Sequence, residues 1–292
     1  MQNSSPDQSI GIKLVDFLGS AIHRLKTVGI ESADVDARIL TAYGLKLNRA
    51  QLLGQSERLL TAEDANLLEA LIEQRVHHKS VARIMGEREF WGLNFGLNEA
   101  TLEPRPDSET LIEATLKLTP DRQKPFRILD LGTGSGCLLL SLLHEFPNAT
   151  GLGIDIALRA IEQAQGNAEK LGLKTRALFK KNDWLEDIEG RFDIIISNPP
   201  YISQKDIFGL MQEVRGFDPL LALDGGEDGY DPYRLLIPQL PKFLNPDGLA
   251  VFEVGQGQSR TIVGLLSQAG FKKVDTHQDL GGIPRCVTAS IA

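Results

Sequence analysis

Cysteine is nearly absent from this chain. Its two cysteines, Cys137 and Cys286, lie far apart with no CxxC spacing. That excludes a disulfide framework and a thiolate zinc site; two buried thiols in a reducing compartment are the expectation. The five histidines, His23, His77, His78, His144 and His277, form no HxxxH or HxH pattern, so no metal is expected. No apolar run reaches the ~18 residues that a membrane-spanning helix needs. The opening MQNSSPDQSIGIKL lacks the basic start and apolar stretch of a secretory signal. A cytoplasmic chain with no membrane partner is the reading.

Positive charge is also in short supply. The chain has 31 Lys+Arg against 39 Asp+Glu, a net charge of −8. Residues 1–85 carry ten of each sign, so residues 86–292, with 21 basic and 29 acidic residues, hold the whole excess. Proteins that grip nucleic-acid backbones usually show a basic patch or domain. The larger part of this chain has the opposite balance, and no direct nucleic-acid partner is expected.

What is present suits a folded protein. Hydrophobic residues make up 42% and charged residues 24% of 292 positions, a length that suggests two domains. Residues 1–85 read as a helical domain. Leu14, Phe17, Leu18, Ile22 and Leu25 recur at helical spacing. Ser32 is placed to cap a second helix through Ile39, Leu40 and Tyr43. Thr61 and Asp64 have the form of a capping box, with Leu67, Leu68, Leu71, Ile72 and Val76 on the face that follows. A neutral helical appendage of this kind suits substrate recognition. Residues 86–104 read as a hairpin or linker. From 105 on, Asp107 or Ser108 is placed to cap a helix. Strands are then predicted at 127–131, 151–156, 177–180, 192–197, 249–254, 272–276 and 286–291, with helices between them. This alternation implies an α/β domain over 105–292, a doubly wound and mostly parallel sheet with its ligand at the carboxyl ends of the strands.

Four motifs fall at those strand ends. The first is Asp130-Leu131-Gly132-Thr133-Gly134-Ser135-Gly136. Glycines let a ligand approach the backbone, and a turn of this kind leaves N–H groups free to bind it. The dinucleotide fingerprint fails, because Cys137 stands where its third glycine belongs. The spacing is G-x-G-x-G, the form seen in S-adenosylmethionine-binding methyltransferases. The second motif is Asp155, 23 residues after Gly132, where a carboxylate accepts hydrogen bonds from both ribose hydroxyls of a nucleoside. Capping the next helix is its other possible job. The third is Asn182-Asp183-Trp184. Asp183 and the backbone at Trp184 are placed to meet an adenine edge, although the indole also suits a core position.

The fourth motif, Asn198-Pro199-Pro200-Tyr201, follows the apolar run Ile194-Ile195-Ile196. The two prolines have no N–H, so the turn offers carbonyl acceptors, and the Asn198 side-chain oxygen adds another. Converging acceptors hold an –NH2 group by its two hydrogens and turn its lone pair towards an incoming methyl. Tyr201 suits packing against a planar substrate group. An amide nitrogen is a poor nucleophile, and orientation alone lowers such barriers by roughly 7–11 kcal/mol in favourable intramolecular cases. A buried general base is not required, because the nitrogen's proton becomes acidic as the methyl arrives.

Together these residues resemble the protein N5-glutamine methyltransferases. The match runs through GEREFW at 86–91, PRPDSE at 104–109, DLGTGSG at 130–136, Asp155, residues 182–184, NPPY at 198–201, GGEDGYDPYR at 225–234 and FEVGQGQ at 252–258. PRPDSE fits the branch acting on class 1 peptide chain release factors rather than the branch acting on a ribosomal protein. Glu103 departs from the family, which usually has an apolar residue there. The resemblance implies a Rossmann-like class I methyltransferase fold with a seven-stranded sheet and a small N-terminal helical bundle. It also implies that Gly132, Thr133, Gly134, Ser135, Gly136, Asp155, Trp184 and Asn198 contact S-adenosylmethionine, which becomes S-adenosylhomocysteine; Asp183 joins this cofactor set from the reading of its motif. Asn198, Pro199, Pro200 and Tyr201 would hold the glutamine of a Gly-Gly-Gln tripeptide. A monomer is expected. The rival classes are an N6-adenine or N2-guanine nucleic-acid methyltransferase, a binding module with a decayed cofactor site, and a nicotinamide-dependent dehydrogenase.

Overall fold

The computed structural model describes residues 9–291; the first eight residues of the opening segment lie outside it. The chain divides into two compact units, Met1–Gly86 and Glu87–Ala292.

In the N-terminal unit, β1 (Ser9–Lys13) leads into α1 (Leu14–Thr27). There follow α2 (Ala33–Gly44), α3 (Arg49–Gly54), β2 (Leu59–Thr61), α4 (Ala62–Val76) and α5 (Val81–Met85). β1 pairs antiparallel with β2, a two-stranded element within what the sequence presents as all helix. Leu14, Phe17, Leu18 and Leu25 of α1 meet Leu40 of α2 and Leu68, Leu71 and Ile72 of α4 in one core. Leu67 and Ile39 point to solvent. The caps follow hydrogen-bond supply. Thr61 Oγ1 accepts from Asp64 N at 3.0 Å, but the Asp64 carboxylate turns to Arg58 at 2.8 Å, so half of the expected box forms. A full box sits at α3, between Asn48 and Gln51. Ser32 occupies the N-cap of α2 but donates its hydroxyl to Asp36 instead, at 2.8 Å.

Asp36 also accepts from Arg75 Nε at 2.7 Å, and both side chains are at most 10% exposed. Removing one partner of a buried ion pair strands the other charge away from water. Asp36→Ala is therefore expected to destabilise this unit by about 3 kcal/mol, read as a lowered urea midpoint.

In the second unit, β3 (Glu87–Phe90) and β4 (Leu93–Gly96) form a hairpin. Its turn carries Trp91 at φ +53° and Gly92 at φ +70°; two central residues with positive φ match the right-handed twist of the strands. Phe90 and Phe95 are buried in the core of the large sheet, so the hairpin packs within this unit. A 3-10 turn (Pro106–Ser108) then enters α6 (Glu109–Leu118). Neither Asp107 nor Ser108 caps that helix with its side chain.

The sheet contains β5 (Arg127–Leu131), β6 (Thr150–Asp155), β7 (Ala177–Lys181), β8 (Phe192–Ser197), β9 (Leu244–Glu253), β10 (Lys273–Gln278) and β11 (Pro284–Ser290). Its order is β10-β11-β9-β8-β5-β6-β7. β9, β8, β5, β6 and β7 run parallel, and β11 is antiparallel to both of its neighbours. Successive side chains of a strand face opposite sides. Ile194 and Ile196 accordingly join one core with α6, α7 (Cys137–Glu145) and α8 (Leu158–Lys170). Ile195 joins the other core, with α11 (Asp231–Leu236), α12 (Leu240–Phe243) and α13 (Ser259–Gln268). Two short helices, α9 (Gln204–Ile207) and α10 (Gln212–Arg215), lie in the long segment after β8. No described helix is long and apolar enough to cross a membrane.

Candidate functional site

A cavity of about 380 Å3 opens at the carboxyl ends of β5, β6, β7 and β8, the place a doubly wound sheet reserves for its ligand. Its wall contains Gly132, Thr133, Gly134, Ser135, Asp155, Asp183, Trp184, Asn198 and Pro200. Four separate motifs thus meet at one site. Three of the residues expected there stand off the wall. Gly136, at φ +80°, starts α7, and a Cβ on it would sit 3.2 Å from Ala164 and Leu140, so it serves helix packing. Pro199 and Tyr201 flank the wall residue Pro200 without lining the cavity.

The glycine turn is tied down by the protein itself. Gly132 N and Thr133 N both donate to Ile154 O, at 3.0 and 2.8 Å. Gly134 N donates to Asp155 Oδ2 at 2.9 Å, and Gly136 N to Thr133 O at 2.8 Å. The expected free donors are largely spent on holding the turn. What remains is closeness. Gly134 is at φ +54° with open space where a side chain would project, and the Trp184 ring lies 3.6 Å from the Cβ position of Gly132. Ser135 Oγ is buried on this wall without a hydrogen-bond partner among the described residues.

Asp155 closes β6, and its carboxylate ties together the two backbone segments beside it. Oδ1 accepts from Ala157 N at 2.9 Å, ahead of α8, while Oδ2 accepts from Gly134 N. An ionised carboxylate offers about four lone-pair sites, so acceptor capacity remains for a ligand. Burial pushes its pKa up, against the backbone N–H groups that favour the charge. Asn182 ties its loop by donating to Trp184 O at 2.8 Å, and Trp184 sits at φ +45° with its ring packed on the second core.

After β8, the Asn198 side chain donates from Nδ2 to Ser108 Oγ at 3.3 Å, which leaves its Oδ1 as an acceptor. No hydrogen bond among the described residues reaches the carbonyls of Pro199 and Pro200. The Tyr201 carbonyl, by contrast, is taken by Gln258 Nε2 at 3.0 Å. The half-buried Tyr201 ring packs on the second core, and its hydroxyl donates to Glu253 Oε1 at 3.2 Å.

Three further features carry no motif of their own. Asp218, whose side chain is 2% exposed, pairs with Arg105 at 2.7 Å and clasps two walls of the cavity. Glu103 lies on the cavity wall, buried, with its carboxylate 3.6 Å from Arg88; that pairing accommodates a charge where an apolar residue is usual. Cys137 is on the same wall, and burial pushes its thiol up to about 12. Among the described residues, no cluster of His, Cys, Asp and Glu is placed to hold a metal ion.

Comparison with known proteins fits this geometry. Residues 16–86 match the PrmC N-terminal domain, and residues 107–214 match the methyltransferase small domain. A solved methyltransferase from Pyrococcus furiosus shares the fold, with a TM-score of 0.51 at 18% identity, covering 77% of this chain and 98% of that one. Fold and site together define an S-adenosylmethionine-dependent methyltransferase. The release factor glutamine methyltransferase of Bradyrhizobium diazoefficiens is 49% identical over 271 residues, 91% of each chain. Its counterpart from Rhodospirillum rubrum is 48% identical over 266 residues, 91% of this chain and 81% of that one. The chain belongs to the family of release factor glutamine methyltransferases.

Proposed function

We propose that this protein transfers a methyl group from S-adenosylmethionine to the side-chain amide nitrogen of the glutamine in the Gly-Gly-Gln motif of a class 1 release factor. The observation that carries the reading is the set of acceptors after β8: Asn198 Oδ1, fixed from behind by Ser108, beside proline carbonyls with no partner of their own. A primary amide has two N–H hydrogens to satisfy, and a pair of fixed acceptors satisfies both.

The cavity fits the cofactor by size, since ligand sites of ~300–1,000 Å3 are usual, and by chemistry. Gly134 gives a close approach to backbone. Asp155 keeps acceptor capacity for ribose hydroxyls beside its backbone partners. Trp184 and Asp183 would flank the base. When bound, S-adenosylmethionine supplies a methyl group on a positively charged sulfur. The residues after β8 then hold the glutamine nitrogen so that its lone pair, weakened by delocalisation into the carbonyl, faces that methyl. The same acceptors draw on the N–H hydrogens and ease the loss of one proton as the N–C bond forms.

The test uses labelled S-adenosylmethionine, the full protein, and a release factor with or without its Gly-Gly-Gln glutamine changed to alanine. Label on the first alone is expected. Label on both moves the target elsewhere, and label on neither defeats the reading.

Asp155→Ala is expected to weaken cofactor binding by at least about tenfold. It removes acceptors for the ligand and frees the Gly134 amide, each worth roughly 1–2 kcal/mol. Titration calorimetry with S-adenosylmethionine measures it. An unchanged Kd would leave Asp155 only its helix-entry role.

A further inference from the structure

Glu253 ends β9 with 1% exposure, a carboxyl buried at a strand end that lines no wall of the cavity. Its Oε1 accepts from the Tyr201 hydroxyl at 3.2 Å. The Ser108 hydroxyl faces the same carboxyl and favours its charged form, although Oε2 lacks a hydrogen bond of normal geometry. Ser108 is in turn the group that accepts from Asn198 Nδ2. Glu253 therefore stands behind both ends of the 198–201 turn.

The direction of hydrogen bonds along this chain matters. A carboxylate can only accept. Facing one, Ser108 turns its hydrogen inward and offers a lone pair outward, which selects the –NH2 end of Asn198 and leaves the carbonyl end for substrate. A protonated carboxyl can donate to Ser108. The Ser108 hydrogen is then free to point at Asn198, and the amide can turn over and present –NH2 to the substrate's own –NH2.

We propose that Glu253 is a positioning residue for the transfer, whose carboxylate fixes the polarity of Ser108 and so the facing of the Asn198 amide. This rests on the function proposed above. The environment makes it titratable in the working range. Burial raises the Glu253 pKa to about 7, against the hydroxyls of Ser108 and Tyr201 and the charge of Arg285 that lower it, while Asp107 raises it further. Tyr233, whose hydroxyl donates to the Glu253 carbonyl at 2.6 Å, and the thiols of Cys137 and Cys286 are the other titratable groups facing it.

The experiment compares kcat and kcat/KM from pH 5.5 to 9 for wild type, Glu253→Gln and Tyr201→Phe, with release factor and S-adenosylmethionine. In wild type, kcat should fall as pH drops through about 7. In Glu253→Gln the amide oxygen meets Tyr201 and its –NH2 faces Ser108, the reversed polarity. Turnover should drop about a hundredfold, the effect of a small misplacement at a reacting group, and the acid limb should vanish, with cofactor affinity unchanged. Wild-type turnover in Glu253→Gln, or the same acid limb, overturns the proposal. Should that variant fail to fold, Tyr201→Phe decides. Losing a donor that favours the carboxylate moves the acid limb to higher pH, and an unmoved limb is the overturning result. Absence of methyl transfer by the wild type would instead defeat the proposed function.

Discussion

Replacing Asn198 with alanine is expected to lower kcat by about two to three orders of magnitude, the loss seen when one preorganised transition-state contact is removed, while the Kd for S-adenosylmethionine changes less than about threefold. Asn198 Oδ1 is an acceptor aimed by a bond at the other end of its amide, Nδ2 to Ser108 Oγ at 3.3 Å. Alanine removes acceptor and aim together. The glycine turn, Asp155 and Trp184, the residues proposed to hold the cofactor, are untouched. Single-turnover transfer rates and cofactor titration on the same preparation separate the two effects. A large loss of cofactor affinity with unchanged turnover would make Asn198 a binding residue and contradict its role in the transfer.

The second large effect is expected at Gly225. A Cβ there would lie 2.9 Å from Pro200 O, from the Tyr201 Cα and from the Gly229 Cα. All three are backbone atoms and cannot swing aside as a side-chain tip would. Hydrogen bonds from Ile202 N to Leu223 O and from Gly225 N to Ile202 O, at 3.0 and 2.9 Å, hold the two segments together. Gly225→Ala must push the Pro200 carbonyl away from its place. Overpacking of this kind costs about 1–3 kcal/mol of stability, and a displacement near 1 Å at a positioning group costs about a hundredfold in rate. The control is Gly264→Ala, within α13 and with no heavy atom within 4 Å of its Cβ position. It should gain up to about 1 kcal/mol from helix propensity and keep full activity. Similar loss from both substitutions would defeat the steric argument.

Much of this architecture is legible in the residues. β8 can be read from Ile194, Ile195 and Ile196, because a strand buried on both faces has no polar side to break the run. β5 and the Gly132 turn declare themselves by apolar residues running into glycines. The N-terminal β1–β2 pair does not, because pairing across more than forty residues leaves no mark on local periodicity. The turn's hydrogen bonds are equally silent. Nothing in the names of Gly132 or Thr133 says that Ile154 already takes their amides. The partner of Tyr201 is hidden for a related reason. An aromatic after two prolines suits a substrate platform, and only the location of Glu253, 52 residues on, turns its hydroxyl inward. Ser108 and Asp218 act through partners 90 and 113 residues away, so neither has a local pattern to find.

The place of β11 in the sheet bears on how the protein emerges from synthesis. β9 lies between β8 and β11, and β11 is built from residues 284–290. Until those residues leave the ribosome, the stretch Ala250, Val251 and Phe252 has an open apolar edge of the kind that recruits other chains. At ~5–20 residues per second the interval after Glu253 lasts about two to seven seconds. Arg285, which pairs with Asp107 at 3.1 Å and favours the charged form of Glu253, arrives in the same closing moment. A nascent chain therefore gains its protected edge and the Arg285–Asp107 pair together. One that stalls before β11 keeps that edge open, and a chaperone or protease can recognise it there.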